Sequence, residues 1–140
     1  MIIVGVDLGH ARTGLAVCDK GEILASPLEV IAQRDEEKLA CQVAEAARKA
    51  GAELLAVGLP RNMDGTEGDS ARFAREMGAK IGALCGLPVE FVDERGTTLT
   101  AHGYLNDTNT RGKKRKALVD AVAATVILED FLRSRRGSVN

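Results

Sequence analysis

Aliphatic and polar residues follow one another in blocks along this chain, and each block has the length and period of a strand or a helix. An almost unbroken aliphatic run at residues 2–7 predicts a buried strand, and a second run follows at residues 13–18. Residues 19–21 (Asp-Lys-Gly) are typical of a hairpin turn, after which residues 22–31 return as a third strand. Three strands joined by short connections predict an antiparallel meander.

Beyond the third strand the hydrophobic period becomes that of helices alternating with strands. Leu39, Val43 and Ala47 share one stripe of a helix from about Asp35 to Ala50. The pattern then predicts a strand at 54–59 and a helix through Phe73, Met77, Ile81 and Leu84, which Asp69 or Ser70 can cap. A strand at 88–92, a helix from Thr97 to about Leu105 and a helix from about Lys116 to Arg133 follow. A meander followed by β-α-β units indicates an α/β fold, with a five-stranded mixed sheet and helices on both of its faces.

Length and composition are those of one ordinary globular domain. The chain has 140 residues, of which 45% are hydrophobic and 28% charged. We expect a single domain over residues 1–140, with residues 134–140 as a frayed tail. The three cysteines are odd in number and lack C-x-x-C spacing, which disfavours a disulfide framework or a zinc site. With no signal peptide and no apolar run of membrane length, we expect a cytoplasmic protein without a membrane partner.

Charge is distributed unevenly, although the formal net charge is only −1. Residues 1–94 contain 10 Lys and Arg against 16 Asp and Glu, whereas residues 95–140 contain 9 against 4. Five positive charges are concentrated just before the last predicted helix, at Arg111, Lys113, Lys114, Arg115 and Lys116. Such a segment suits the phosphates of a nucleic acid, although a solvated basic loop is the alternative.

Three acidic residues stand at the ends of predicted elements. Asp7 follows the first strand, Glu94 follows the fifth, and Asp120 lies at the edge of the aliphatic stripe of the last helix. Asp93 and Glu94 point to opposite faces of the sheet, so only one of them can share a face with Asp7, and Glu94 has the longer reach. The alternatives are a turn-stabilising Asp7, a solvated strand end, and a surface acid near a helix N-terminus.

Three carboxylates in these places suit a hard divalent cation. Mg²⁺ and Mn²⁺ prefer oxygen ligands, and a pair of such ions promotes phosphodiester hydrolysis. We therefore predict that Asp7, Glu94 and Asp120 are both metal ligands and catalytic residues. Arg12, Arg61, Asn62 and Arg95 join the basic segment as candidate contacts to nucleic acid, and His10, Thr97 and Thr98 are auxiliary candidates.

Four linked motifs follow one another along nearly the whole chain. They are Val-Gly-Val-Asp-Leu-Gly at 4–9 with Arg-Thr-Gly-Leu-Ala-Val at 12–17, Val-Gly-Leu-Pro at 57–60 with Asn-Met-Asp-Gly-Thr at 62–66, Val-Asp-Glu-Arg-Gly-Thr-Thr at 92–98, and Lys-Lys-Arg-Lys at 113–116 with Asp-Ala-Val-Ala-Ala at 120–124 and Ile-Leu at 127–128. Together they resemble the YqgF (RuvX) family. The resemblance implies the RNase H-like fold of Holliday junction resolvases and places the family's acids on Asp7, Glu94 and Asp120. Gly96 stands where the family usually has an aliphatic residue, and His10 where other residue types are common.

The resemblance implies a metal-dependent endonuclease that processes the 5′ end of the 16S rRNA precursor. A Holliday junction resolvase acting on branched DNA, which requires a dimer, is the second hypothesis. A non-catalytic rRNA-binding assembly factor is the third. The Asp-x-Gly sequence also resembles the phosphate loop of actin-like ATPases and sugar kinases, which need two such domains. The sequence leaves open RNA or DNA as substrate, one metal ion or two, and a monomer or a homodimer.

Overall fold

The computed structural model describes the backbone of residues 1–94 and 112–139, and the side chains of residues 1–94 and 122–137. Its elements are the strands β1 (Ile3–Asp7), β2 (Arg12–Cys18), β3 (Ala25–Ala32), β4 (Leu54–Leu59) and β5 (Val89–Asp93), and the helices α1 (Glu36–Lys49), α2 (Asp69–Cys85) and α3 (Gly112–Val139). The helix predicted from Thr97 to Leu105 lies outside the described residues. None of the described helices is long and apolar enough to cross a membrane.

All five strands belong to one mixed sheet, in the order β3-β2-β1-β4-β5. The first three strands pair antiparallel, whereas β4 pairs parallel with β1 and β5 pairs parallel with β4. The predicted meander with added parallel strands is therefore confirmed. Because β1, β4 and β5 run in the same direction, their carboxyl ends meet at one edge of the sheet.

Helices cover both faces of the sheet, as predicted. On one face, α1 and α2 pack on side chains that alternate along β1 and β4, namely Val4, Val6, Leu55 and Val57. On the other face, α3 packs on the intervening side chains, namely Ile3, Ala16, Leu54 and Ala56. The core is aliphatic, as expected for a chain with only three Phe, one Tyr and no Trp.

Contact between α3 and β1 is close because Gly5 has no side chain. A Cβ built on Gly5 would lie 2.9 Å from the Cβ of Leu128 and 3.1 Å from the carbonyl oxygen of Ala124. Near the other end of α3, Arg135 donates to the Glu22 carboxylate at 2.7 Å, and that carboxylate also accepts from the Met1 ammonium at 3.1 Å. The helix therefore runs antiparallel to β1.

The third strand starts later than predicted, at Ala25 instead of residue 22. Glu22 has a φ of 57°, which belongs to a turn, and the Asp19 carboxylate accepts from the N–H groups of Ile23 and Leu24 at 2.8 and 3.0 Å. These bonds extend the turn at the expense of the strand. The resulting β3 is an irregular edge strand, whose register with β2 shifts between residues 15 and 16.

Two helix boundaries also differ from the predictions. The N-cap of α2 is Gly68, which has no side chain to donate or accept, instead of Asp69 or Ser70. The last helix spans Gly112–Val139, so residues 134–139, expected as a frayed tail, are helical. This extension is stabilised by Arg135, which binds the Glu22 carboxylate, and by Arg136, which donates to the Glu22 carbonyl at 3.1 Å.

Candidate active site

The Glu94 side chain lies over the backbone of Gly58, at the carboxyl ends of β4 and β5. Its own N–H donates to the Leu59 carbonyl at 3.2 Å. A Cβ built on Gly58 would collide with Oε2 of Glu94 and would lie 2.6 Å from Cδ1 of Ile127. The carboxylate of Glu94 therefore occupies the space that any larger residue at position 58 would need, on the face of the sheet that α3 covers.

A negative charge on Glu94 is poorly accommodated by its surroundings. Oε2 is buried and accepts no hydrogen bond from any described residue. The pKa of Glu94 is raised to about 8, mainly by burial and further by the charges of Asp7 and Asp93. The carboxyl group is therefore mostly protonated at neutral pH, and a cation beside Oε2 would favour its charged form.

Asp7 ends β1, on the strand next to β4. Val6 pairs with Val57 in the parallel register, so Asp7 comes beside Gly58 at the next step along the two strands. Side chains alternate along β1, which puts Asp7 on the same face as Gly5, the face that α3 covers. The acids at positions 7 and 94 therefore lie on one face, near enough for the charge of Asp7 to raise the pKa of Glu94.

The third predicted ligand, Asp120, belongs to α3, and its side chain lies outside the described residues. Within residues 1–94 and 122–137, no three His, Cys, Asp or Glu side chains are grouped so as to hold a metal ion. The two described acids nevertheless fit a hard divalent cation. Glu94 offers a buried oxygen to which none of the described residues donates, Asp7 brings a second carboxylate to the same face, and both are oxygen ligands.

Asp93, the last residue of β5, is exposed and faces Arg61, whose Nη1 lies 3.8 Å from its Oδ2. Nε of Arg61 lies 3.4 Å from Oε2 of Glu67. Glu67 also accepts two hydrogen bonds, at 2.7 and 2.8 Å, from Arg75, whose guanidinium lies over the Phe91 ring. Arg61, predicted to contact nucleic acid, therefore lies between two carboxylates of its own chain.

Asn62, another predicted contact, takes part in a compact turn after β4. Its N–H donates to the Thr66 carbonyl at 2.9 Å, and its side-chain amide donates to the Thr66 hydroxyl at 2.8 Å. Gly65 has a φ of 90° and donates to the Asn62 carbonyl at 2.9 Å. Residues 62–66 therefore form a tight turn, and the Asn62 amide serves to close it.

His10 lies in the connection between β1 and β2, where it stacks on Phe73 of α2. The ring centroids are 4.1 Å apart and the planes differ by 28°. Nearby, the fully buried Thr13 hydroxyl accepts from the Gly9 N–H at 3.4 Å and lies 3.5 Å from the Gly9 carbonyl, to which it donates. This aromatic pair could not be predicted from local sequence patterns, because its two members are far apart in the chain.

The other residues predicted to contact nucleic acid are only partly within the described region. Arg12 is the first residue of β2 and is partly buried. The basic residues 113–116 belong to the first turns of α3 instead of a loop, and their side chains lie outside the described residues. Lys and Arg are good helix formers, which accounts for the earlier start of the helix. Arg95, Gly96, Thr97, Thr98 and Arg111 are also outside the described residues.

Two solved structures that share this architecture identify the fold. The chain superposes on RuvC of Thermus thermophilus in complex with a Holliday junction substrate with a TM-score of 0.63 and 18% identity, covering 99% of this chain and 97% of that one. The Holliday junction resolvase of fowlpox virus matches with a TM-score of 0.57 and 13% identity, covering 96% and 99%. The mixed sheet with its helices is thus the RNase H-like fold of RuvC-type resolvases.

The chain belongs to the RuvX family, because the family model described as "Holliday junction resolvase" matches residues 1–134. A relative from Anaeromyxobacter sp. (strain Fw109-5), named "Putative pre-16S rRNA nuclease", is 40% identical over 135 residues, which are 96% of this chain and 98% of the relative. A relative of the same name from Thermosynechococcus vestitus is 38% identical over 133 residues, 95% of this chain and 88% of the relative. The resemblance seen in the four motifs is confirmed.

Proposed function

We propose that this protein is a metal-dependent endonuclease that hydrolyses phosphodiester bonds of structured nucleic acid. The observation that carries the proposal is the Glu94 carboxylate, which is buried beside a second acid and whose Oε2 has no hydrogen-bond donor among the described residues. Such a group costs free energy in the absence of a ligand and is typical of functional sites. The carboxylate lies at the edge of the sheet where the three parallel strands end.

Asp7, Glu94 and Asp120 are the proposed ligands of Mg²⁺ or Mn²⁺. The antiparallel course of α3 along β1 supports the inclusion of Asp120. It precedes Ala124, which packs at Gly5, by four residues or about 6 Å of helix. Asp7 follows Gly5 by two residues, or about 7 Å of strand, in the corresponding direction. A bound divalent ion supplies stabilisation of the attacking and leaving oxygens of a phosphodiester.

The remaining parts of the proposal concern the substrate. Lys113, Lys114, Arg115 and Lys116, at the start of α3, are proposed to bind backbone phosphates near the acids. The name of the relatives supports the 16S rRNA precursor as the substrate, and the resemblance to the family extends this to cleavage at its 5′ end. Action on RNA of this kind is expected in the cytoplasm.

A second candidate function is the resolution of branched DNA. The description of the family model and the fold shared with RuvC favour it. Two symmetric cuts in one junction require two active sites, so this function predicts a homodimer. It uses the same acids and differs from the first proposal only in the substrate and the assembly.

A side-by-side cleavage assay tests both candidates. The 16S rRNA precursor and a four-way DNA junction are each incubated with Mg²⁺, Mn²⁺ or EDTA. We expect Asp7→Asn to lower the rate of metal-dependent cleavage by about 100-fold or more, since even outer-shell partners of metal ligands contribute up to that much. The matched control is Asp130→Asn on α3, which loses only a surface ion pair with Arg133.

Each outcome of the assay has a distinct meaning. Full activity of the Asp7→Asn protein would remove Asp7 from the site, and cleavage in EDTA would refute the metal dependence. Cleavage of the junction alone would select the second candidate. Binding of rRNA without cleavage of either substrate would select the non-catalytic assembly factor.

A further inference from the structure

The stacked pair of His10 and Phe73 has its outer member, His10, exposed to solvent. Phe73 is partly buried and packs against the core under α1 and α2, whereas His10 is exposed. Since one face of the imidazole rests on Phe73 at 4.1 Å, its opposite face is the one on which a further ring can stack. The other described Phe rings, Phe91 and Phe131, are each covered by an arginine, so among the described residues this pair is the one aromatic stack.

His10 is held in a rigid connection. Thr13 is fully buried, and its hydroxyl binds both the N–H and the carbonyl of Gly9. On the other side of Gly9, Leu8 packs against the buried cluster of Leu59, Ala71 and Ala74. The backbone is therefore fixed before and after His10. A ring that is already ordered loses little conformational entropy when a ligand stacks on it.

The pair lies at the same edge of the sheet as the proposed active site, with Phe73 on the face that α1 and α2 cover. His10 follows Asp7 by three residues, so their Cα atoms are within about 11 Å of each other. Phe73 lies near the start of α2, shortly after the turn that follows β4. Both rings are therefore at the edge of the sheet where β1, β4 and β5 end.

We propose that His10, supported by Phe73, is a stacking platform for an unpaired nucleobase of the RNA substrate, next to the scissile phosphate. This inference rests on the proposed nuclease function and names a further feature of its substrate. Aromatic faces bind bases of any sequence, but only those that are not enclosed in a duplex. The platform would thus favour cleavage where a single-stranded segment adjoins a structured one. A purely structural His10, which only shields Phe73 from water, predicts no effect on RNA binding.

Fluorescence of 2-aminopurine tests the platform without any need for cleavage. A set of RNA hairpins with a single-stranded extension carries the fluorescent base at successive positions of that extension, and binding to the full chain is measured in EDTA. The variants are His10→Ala, His10→Phe and Asp7→Asn. A fully paired RNA duplex with an internal 2-aminopurine is the control ligand.

We expect the wild-type protein to quench the fluorescence at one or two adjacent positions. His10→Ala should abolish this quenching and weaken binding of the extended hairpin by roughly 5- to 150-fold, while leaving duplex binding unchanged. His10→Phe should restore both, because it supplies a flat ring without the imidazole nitrogens. Quenching that persists in the Asp7→Asn protein would support the platform even if no RNA is ever cleaved.

Three results would overturn the inference. His10→Ala could bind and quench as the wild type does. It could weaken duplex and extended hairpin equally, which would indicate a phosphate contact. His10→Phe could fail to restore binding, which would assign the effect to the imidazole nitrogens instead of the ring face.

Discussion

Replacement of Glu94 by glutamine should make the metal-free protein more stable at alkaline pH. The carboxylate lies over Gly58, where Oε2 is buried and no residue in the described part of the chain donates to it. Its pKa is raised to about 8 from an ordinary value of 4.5. Glutamine has nearly the same size and shape but carries no charge. The substitution therefore removes the ionisation of the side chain and keeps its volume.

The sign of the effect follows from proton linkage. Below pH 4.5 the Glu94 carboxyl is protonated in both the folded and the unfolded chain. Between pH 4.5 and 8 the unfolded chain has lost this proton while the folded protein retains it, so the free energy of unfolding falls as the pH rises. Above pH 8 Glu94 is ionised in both the folded and the unfolded chain, and the free energy of unfolding falls no further on its account.

The magnitude follows from the same two pKa values. They differ by about 3.5, and one unit corresponds to about 1.4 kcal/mol, so ionisation of Glu94 destabilises the folded protein by about 5 kcal/mol at high pH. About 1 kcal/mol of this is already lost at pH 5. The advantage of Glu94→Gln over the wild type should therefore grow by about 4 kcal/mol between pH 5 and pH 9.

Urea denaturation in EDTA at the two pH values measures this difference. Glu129→Gln is the matched control, because it makes the same chemical change at an exposed position of α3. The control should follow the pH dependence of the wild type. The reasoning is refuted if the Glu94→Gln and wild-type proteins keep the same difference in unfolding free energy at pH 5 and pH 9.

Two further predictions concern the same site. Gly58→Ala should lower the free energy of unfolding by about 1–3 kcal/mol and weaken Mn²⁺ binding, because the new Cβ collides with the Glu94 carboxylate. Thermal unfolding measures the loss of stability and calorimetry the loss of affinity. Gly137→Ala, whose Cβ meets nothing within 4 Å, should show neither loss. The affinity for Mn²⁺ should rise by about tenfold between pH 6 and 7 and by about fivefold between pH 7 and 8, since the cation displaces the proton of Glu94. An affinity that is constant over this range would exclude Glu94 as a ligand.

Most of the fold could be predicted from local patterns. The run at residues 54–59 is aliphatic apart from Gly58 and forms a completely buried strand with those bounds. The predicted start of β3 was wrong because Ile23 and Leu24 suit a strand by composition, yet both are exposed in a turn closed by Asp19. Composition reports the preference for burial but does not detect a side chain that competes for backbone N–H groups.

The candidate site was less accessible to sequence reasoning. Acids at strand ends are visible in a sequence. Strand alternation showed that only one of Asp93 and Glu94 can share a face with Asp7, and Glu94 was preferred for its longer reach. The part played by Gly58 depends on a side chain 36 positions away, although a glycine inside an aliphatic strand is a signal of close approach. The partners of Arg61 and His10 lie on other elements, and no local period encodes such contacts.

The irregular edge of the sheet has a consequence for self-association. Unpaired backbone groups along an edge strand can recruit a strand from another molecule. On β3 this is hindered by the register shift opposite residues 15 and 16, by Pro27, which has no N–H group to donate, and by the exposed charge of Glu29. The opposite edge, β5, has only five residues and carries the exposed acids Glu90 and Asp93. Growth of the sheet from one molecule into the next is therefore disfavoured at both ends, and two copies that act on one substrate would have to meet through helices or loops.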